Sequence, residues 1–223
     1  MLHVLILVPE ITKGMKSLGS KALLDIKKHT KVLEYQIHNI KNLDIKTQIT
    51  VATGFEAEKV HSVLDELSIE YTFNPTYKET NQGESIRLYL EKYSPKHLLI
   101  INNGILMKKN TLNKLLLSGH SKLFLLDKAK ENFNLGCALT QSVTEYIFYD
   151  LPEPWAECVY LDKDAINNLS VIVQQNKTSQ MYLFELLNEM LSSNTILSKH
   201  YLNKTKIMKI NTIKDLPKAK VFI

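Results

Sequence analysis

Two apolar runs, the nearly continuous aliphatic Leu2–Val8 and the shorter His97–Ile101, constrain this chain most. Each has the pattern of a strand covered on both faces, and Thr47–Thr53 reads as another strand, ending at Gly54. Between them, Lys31–Leu43 places Val32, Leu33, Tyr35, Gln36, Ile37 and Ile40 at helical spacing, and Ala57–Leu67 does so with Val60, Val63, Leu64 and Leu67. Leu23–Ile26 offers a short extended piece. Ile69–Phe73 alternates as a further strand, and Glu84–Lys92 reads as the helix after it. Strand–helix alternation implies right-handed crossovers and a parallel sheet covered on both sides. The expected class is therefore α/β, a Rossmann-like three-layer sandwich around a mixed, mostly parallel sheet. Ligands of such sheets sit beyond the carboxyl ends of the strands. The loops Pro9–Ser20, Gly54–Ala57, Asn74–Gly83 and Asn102–Gly104 would converge there.

The second half changes character. Lys122–Leu126, Leu135–Leu139, Glu145–Tyr149 and Glu157–Leu161 read as strands, and Asp164–Gln175 and Gln180–Leu191 as helices. Ile196–Leu202 and Lys206–Ile210 read as strands before a short closing helix, Ile213–Ala219. With no internal repeat or linker, 223 residues suit one sizeable core, so a single domain over residues 1–223 is expected.

Charge narrows the partners. The formal net charge is +5, but Lys and Glu are interleaved, and Arg87 is the sole arginine. Bidentate recognition of guanine or of the nucleic-acid backbone leans on arginine, so no nucleic-acid partner is expected. Cys137 and Cys158 are isolated, which argues against a zinc site or a disulfide framework. Leu2–Val8 is too short to span a membrane and lacks the flanks of a secretory signal, so a cytoplasmic protein with no membrane partner is expected.

The segment Phe73–Arg87 is turn-rich and opens into a helix whose first turn is small and polar. Such a helix start presents N–H groups and partial positive charge, which suits a phosphate or a polar base edge.

Several motifs, taken in order, resemble the nucleotidyltransferase family of the nucleotide-diphospho-sugar transferase fold, which includes sugar-phosphate, phosphocholine and molybdenum-cofactor nucleotidyltransferases. They are Lys21-Ala22-Leu23-Leu24, then Glu34 and Gln36, then Val51–Phe55 with its closing Gly54. Asn74-Pro75, Tyr77, Thr80-Asn81 and Gly83-x-Ser85-Ile86-Arg87 resemble the family's base-reading loop and helix. The strand into Asn102-Asn103-Gly104-Ile105-Leu106 resembles the one that carries a metal aspartate, and Ile210–Leu216 resembles the C-terminal Ile-Asp-Thr-Pro-Glu-Asp-Leu ending. The resemblance implies a nucleotide-binding half (residues 1–120) and an acceptor-side half (residues 121–223). It also implies attack of a phosphorylated alcohol on the α-phosphate of an NTP, with Mg²⁺ held by carboxylates.

Three departures touch the places where that chemistry happens. Gly104 and Asn211 stand where the two metal aspartates belong, and the glycine-rich first loop reads Val8-Pro9-Glu10-Ile11-Thr12-Lys13-Gly14-Met15. The expected site keeps Lys16 and Lys21 on phosphates, Lys21 being the catalytic candidate. Asn81, Gly83, Ser85, Arg87, Asn102, Asn103 and Gly104 would line the nucleotide or sugar pocket, with no residue left as a metal ligand. The expectation is a nucleotidyltransferase-like protein that binds an NTP or a phosphorylated small molecule. It would use Mg²⁺ if active, with weak or absent transfer. The alternative is a non-catalytic structural, assembly or binding protein, including a viral component, that keeps the scaffold and works with a homo-oligomer or assembly partner.

Plainer readings cover the remaining residues. Arg87 could simply pair with Glu91 one helical turn away. Trp155 reads as a packing residue, and Glu185 and Glu189 as a solvated helix face. Asp162 reads as an N-cap ahead of Asp164, and Asp127 and Asp150 are weak substitute metal ligands.

Overall fold

The computed structural model describes residues 1–9, 19–112, 120–141 and 143–223. Strand β1 (Leu2–Val8) leads, through the hairpin β2 (Asp25–Lys27) and β3 (Thr30–Lys31), to helix α1 (Val32–Lys41) and strand β4 (Thr47–Thr53). Helix α2 (Ala57–Val63), strand β5 (Glu70–Phe73), helix α3 (Gln82–Lys92) and strand β6 (Leu98–Asn102) follow. β4, β5 and β6 join β1 in parallel, in the spatial order β5-β4-β1-β6, with Leu5 opposite both Thr50 and Ile100. The aliphatic continuity of β1 has a direct cause. Val4, Ile6 and Val8 belong to the apolar cluster on one face of the sheet, and Leu5 and Leu7 to the cluster on the other. Each such fully buried side chain contributes roughly 1.5–3 kcal/mol of hydrophobic stabilisation.

The second half comprises β7 (Ile105–Met107), β8 (Lys122–Leu126), β9 (Leu135–Thr140), β10 (Val143–Tyr149) and β11 (Glu153–Leu161). Then come α4 (Lys163–Ile172), α5 (Leu183–Ser192), β12 (Ser198–Leu202), β13 (Ile207–Lys209) and α6 (Leu216–Phe222). β11 runs antiparallel between β6 and β8 and so welds the two halves into one nine-stranded mixed sheet. Its first residues, Glu153 and Pro154, pair instead with β9. The strands β11-β8-β12-β10-β9 therefore close on themselves. Between Trp155 and Val159 the register against β8 shifts, and Glu157 takes a left-handed φ of 53°. A bulge of this kind re-aims a side chain without ending the strand.

Several elements differ from expectation. Lys21–Leu23 is a 3-10 turn ahead of β2, α2 stops at Val63, and α3 starts at Gln82. β11 begins at Glu153 instead of Glu157, because Glu153 and Pro154 find a partner strand far along the chain. The closing helix divides into a 3-10 turn at Ile213–Asp215 and α6, with Pro217 in the first turn of α6. Among the described residues, no helix is long and apolar enough to cross a membrane.

Candidate functional site

The carboxyl ends of the parallel strands are stitched together by backbone hydrogen bonds. Phe55 N–H donates to Pro9 O at 3.2 Å, Asn74 N–H to Thr53 O at 2.8 Å, and Asn103 N–H to Leu7 O at 3.1 Å. Gly54 permits the convergence, since a Cβ there would stand 2.6 Å from Tyr77 Cβ and 2.7 Å from Pro9 O. Beside these loops, at the ends of β1 and β6, lies a cavity of about 190 Å³. Lys21, Gln82, Asn102, Asn103, Glu157, Lys209 and Asn211 supply its polar side. Tyr149, Trp155, Tyr182 and Phe184 face it from the closed ring of strands and from the start of α5. A separate, mostly apolar hollow beside α1, bordered by Ile40, Leu43 and Met107, holds only about 20 Å³ and gathers no ionised group capable of catalysis apart from Lys108. Of these two, the cavity of about 190 Å³ gathers the ionisable side chains.

A polar chain crosses the cavity floor. Leu183 N–H donates to Gln82 Oε1 at 2.7 Å, and Gln82 Nε2 donates to Asn102 Oδ1 at 3.2 Å. Asn102 Nδ2 donates to Glu157 Oε2 at 3.0 Å, and Lys209 Nζ closes an ion pair with Glu157 Oε1. Glu157 is only 4% exposed. A carboxylate so far from water is tolerable because it is paired with a cation and hydrogen-bonded besides. From the opposite face, Gln36 holds the turn after β6. Its Nε2 donates to Asn102 O at 3.2 Å, and its Oε1 accepts from Gly104 N–H at 3.4 Å. Asn103 also lines the cavity, and its Oδ1 is buried without a hydrogen-bond partner.

The sequence-predicted residues divide by place. Lys21, Asn102, Asn103 and Asn211 line the cavity. Gly104 lies beneath Lys21, with φ +85°, and a Cβ there would meet Lys21 Cε at 2.8 Å, Ile210 O at 2.9 Å and Lys21 Nζ at 3.0 Å. Asn211 does not aim a free amide at the cavity: its Nδ2 donates to Asn132 O at 3.0 Å. Lys16 falls outside the described residues, as do residues 10–18 of the first loop.

The structure does not bring Asn81, Gly83, Ser85 or Arg87 to the cavity. The start of α3 docks on the 3-10 turn Asn176–Gln180, and its polar groups are used there. Asn81 N–H donates to Ser179 O and Gly83 N–H to Met181 O, both at 2.9 Å, while Asn81 Nδ2 donates to Gln180 O at 2.6 Å. Ser85 is buried and accepts from Asn74 Nδ2 at 3.2 Å. Arg87 is held by Glu84 at 2.7 Å and by Glu91 on its own helix. Two of the N–H groups that this helix start could offer an anion are therefore given to protein carbonyls. Gln82, between two of the expected residues, is the one on this turn that reaches the cavity.

Glu157 and Lys209 were missed by sequence reasoning. Both sit in apolar strand patterns and are 52 positions apart. A carboxylate inside the buried run Trp155–Leu161 was the available signal. The N-cap reading of Asp162 matches the structure, where its Oδ1 accepts from Ala165 N–H at 3.1 Å, and Glu189 pairs with Lys177 on the helix surface. Asp127, read as a weak substitute metal ligand, accepts from Lys204 N–H. Trp155 is buried, with Nε1 donating to Cys158 O at 3.0 Å, although one edge also borders the cavity.

Mg²⁺ prefers charged oxygens in octahedral array, and this donor set does not fit it. Among the described residues, Glu157 is the one carboxylate on the cavity, and one of its oxygens is already taken by Lys209. Asn102, Asn103 and Asn211 are uncharged. No group of three His, Cys, Asp or Glu side chains able to hold a metal occurs among the described residues.

A mixed sheet with a parallel N-terminal half thus carries a polar cavity at the carboxyl ends of its strands, the architecture that the solved structures below share as the nucleotide-diphospho-sugar transferase fold. Comparison with solved structures agrees. The CTP:phosphocholine cytidylyltransferase of Streptococcus pneumoniae matches with a TM-score of 0.79 and 16% identity, over 99% of this chain and 98% of that one. The inositol-1-phosphate CTP transferase of T. maritima matches with a TM-score of 0.78 and 13% identity, over 99% and 94%. A Bacillus anthracis protein assigned as a glucose-1-phosphate thymidylyltransferase, solved with a sucrose, gives a TM-score of 0.80 and 13% identity, over 99% and 94%. No protein-family model matches the chain, and no curated protein does. The chain has the fold of these nucleotidyltransferases.

Proposed function

We propose that this protein is a nucleotidyltransferase-like binder of a nucleotide or phosphorylated small molecule, with Mg²⁺-dependent transfer weak or lost. The observation that carries the reading is the Glu157–Lys209 pair on the floor of the cavity, flanked by neutral Asn102, Asn103 and Asn211. The phosphate-handling position of the fold is retained, and Lys21 is the phosphate contact. Asn102, Asn103 and the Gly104 backbone border the ligand. Asn81, Gly83, Ser85 and Arg87 hold the α3 wall in place without touching the ligand. The whole chain acts as one three-layer, Rossmann-like domain in the cytoplasm.

The test combines binding with turnover. Each NTP is expected to raise the melting temperature, since a ligand at about 100 times its Kd adds roughly 2.7 kcal/mol to stability. Pyrophosphate release with NTP, Mg²⁺ and a panel of phosphorylated acceptors is expected to stay at background. Robust Mg²⁺-dependent release that Lys21→Ala abolishes would overturn the reading.

A second reading, a non-catalytic assembly component, draws on a different observation. Tyr146, Phe148 and Tyr149 on β10 are 48%, 46% and 51% exposed and form a contiguous aromatic strip. It predicts a stable oligomer on size-exclusion chromatography and no thermal shift with any NTP.

A further inference from the structure

We infer that the cavity takes a phosphate-bearing ligand without a divalent cation, with the Lys209 ammonium supplying the charge that neutralises the phosphate oxygens. This rests on the cleft being a phosphate site, as proposed above.

Three features point this way. First, Lys209 is fixed, not waving in solvent: its side chain is 15% exposed and pinned by the buried Glu157 carboxylate, which Asn102 orients in turn. An ammonium has three donors and Glu157 engages one, which leaves N–H groups for an oxyanion. Second, Lys209 and Lys21 both line the cavity, and Glu157 is the single carboxylate among its described lining residues. A dication entering beside Lys209 would meet like charge, and to reach Glu157 it would have to displace a lysine from a desolvated pair. Third, the backbone at Gly104 disfavours an acidic side chain. With φ +85° and the Ile210 carbonyl oxygen 2.9 Å from the place of a Cβ, any side chain there is strained, and glycine itself supplies no carboxylate. Lysine is a point charge suited to phosphate, and a desolvated setting strengthens its attraction. Glu157 is thus a positioning residue: it holds the Lys209 side chain at the floor.

The test is calorimetric titration of the full chain with inorganic pyrophosphate, in EDTA and in Mg²⁺. Binding is expected to be at least as tight in EDTA, and Lys209→Gln to weaken it about tenfold or more. Because that variant leaves Glu157 buried without its cation, the double variant Glu157→Gln, Lys209→Gln is measured beside it. Two amides can keep the local hydrogen bonding without charge, and this variant too is expected to lose pyrophosphate binding while melting near wild type. Binding seen only with Mg²⁺, or unchanged affinity in the folded double variant, would overturn this inference while leaving a phosphate cleft. Absence of binding in both buffers would overturn the inference and the phosphate cleft together.

Discussion

At Gly83 a Cβ would stand 1.9 Å from the Thr178 carbonyl oxygen, closer than any real contact. The obstacle is backbone, so it cannot rotate away, and Gly83→Ala must push the Asn176–Gln180 turn off the start of α3. The expected loss is about 1–3 kcal/mol, the usual scale of overpacking, read from the urea midpoint. Gly104→Asp is the companion case. It is expected to cost about 1–2 kcal/mol, because an L-residue resists a left-handed φ, and to leave Mg²⁺-dependent pyrophosphate release unraised. A variant that gained such activity would show that position 104 can serve as a ligand after all. These two glycines also show what could be read in advance. Their place in a motif was legible, but the reasons for glycine were not, because the obstructing atoms belong to Thr178 and Ile210, roughly a hundred residues further along the chain.

Elements with a single local cause were legible. The strand Thr47–Thr53 is where its β-branched residues and closing Gly54 placed it, and Lys122–Leu126 where its apolar run did. Elements defined by a distant partner were not. β7 is three residues long and exists because it pairs with β13, and the start of β11 exists because it pairs with β9. The floor of the cavity belongs to the same category: Glu157 reads as the first residue of a strand until β13 brings Lys209 to it. The chain's end illustrates how one carboxylate can set an element. Asp215 accepts from Asn211 N–H at 2.9 Å, Thr212 N–H at 2.8 Å and Asn132 Nδ2 at 2.9 Å, at the turn that starts α6. Burial alone would raise its pKa, but the hydrogen bonds from Thr212, Asn132 and Asn211 outweigh burial and hold it below the ordinary carboxylate value. A depressed folded pKa contributes stability that is complete above the unfolded value of about 3.9 and is lost as pH falls through the folded one. Asp215→Asn is therefore expected to cost about 1–2 kcal/mol at pH 7, the scale of a lost cap. The gap from wild type should narrow as pH drops below about 4. Urea midpoints at several pH values check it, and a constant gap down to pH 2 would assign Asp215 a role independent of its charge.

At the scale of the whole molecule, the question is whether the parallel half and the closed ring of strands unfold together. Both apolar clusters cross the boundary. One contains Val4 and Leu99 with Phe124 and Tyr160, and the other contains Leu5 and Ile100 with Val159 and Leu187. β11 adds a ladder, with Cys158 opposite Ile101 and Leu161 opposite Leu98. Removing either half would strip a full face of the other, so one cooperative transition is expected. The two free thiols report on it from different places, Cys158 from the joint and Cys137 from the ring. Burial pushes the Cys137 thiol up to about 12, with Glu153 adding to the shift, and pushes Cys158 up as well, so neither is reactive while folded. Labelling of each cysteine, followed by mass spectrometry in increasing urea, should give rates for the two sites that agree within roughly threefold. Their urea dependence should match the m-value of global unfolding. Faster labelling of Cys137 with a shallower urea dependence would mean that the ring opens on its own, and that the aromatic wall of the cavity can leave while the lysine floor stays.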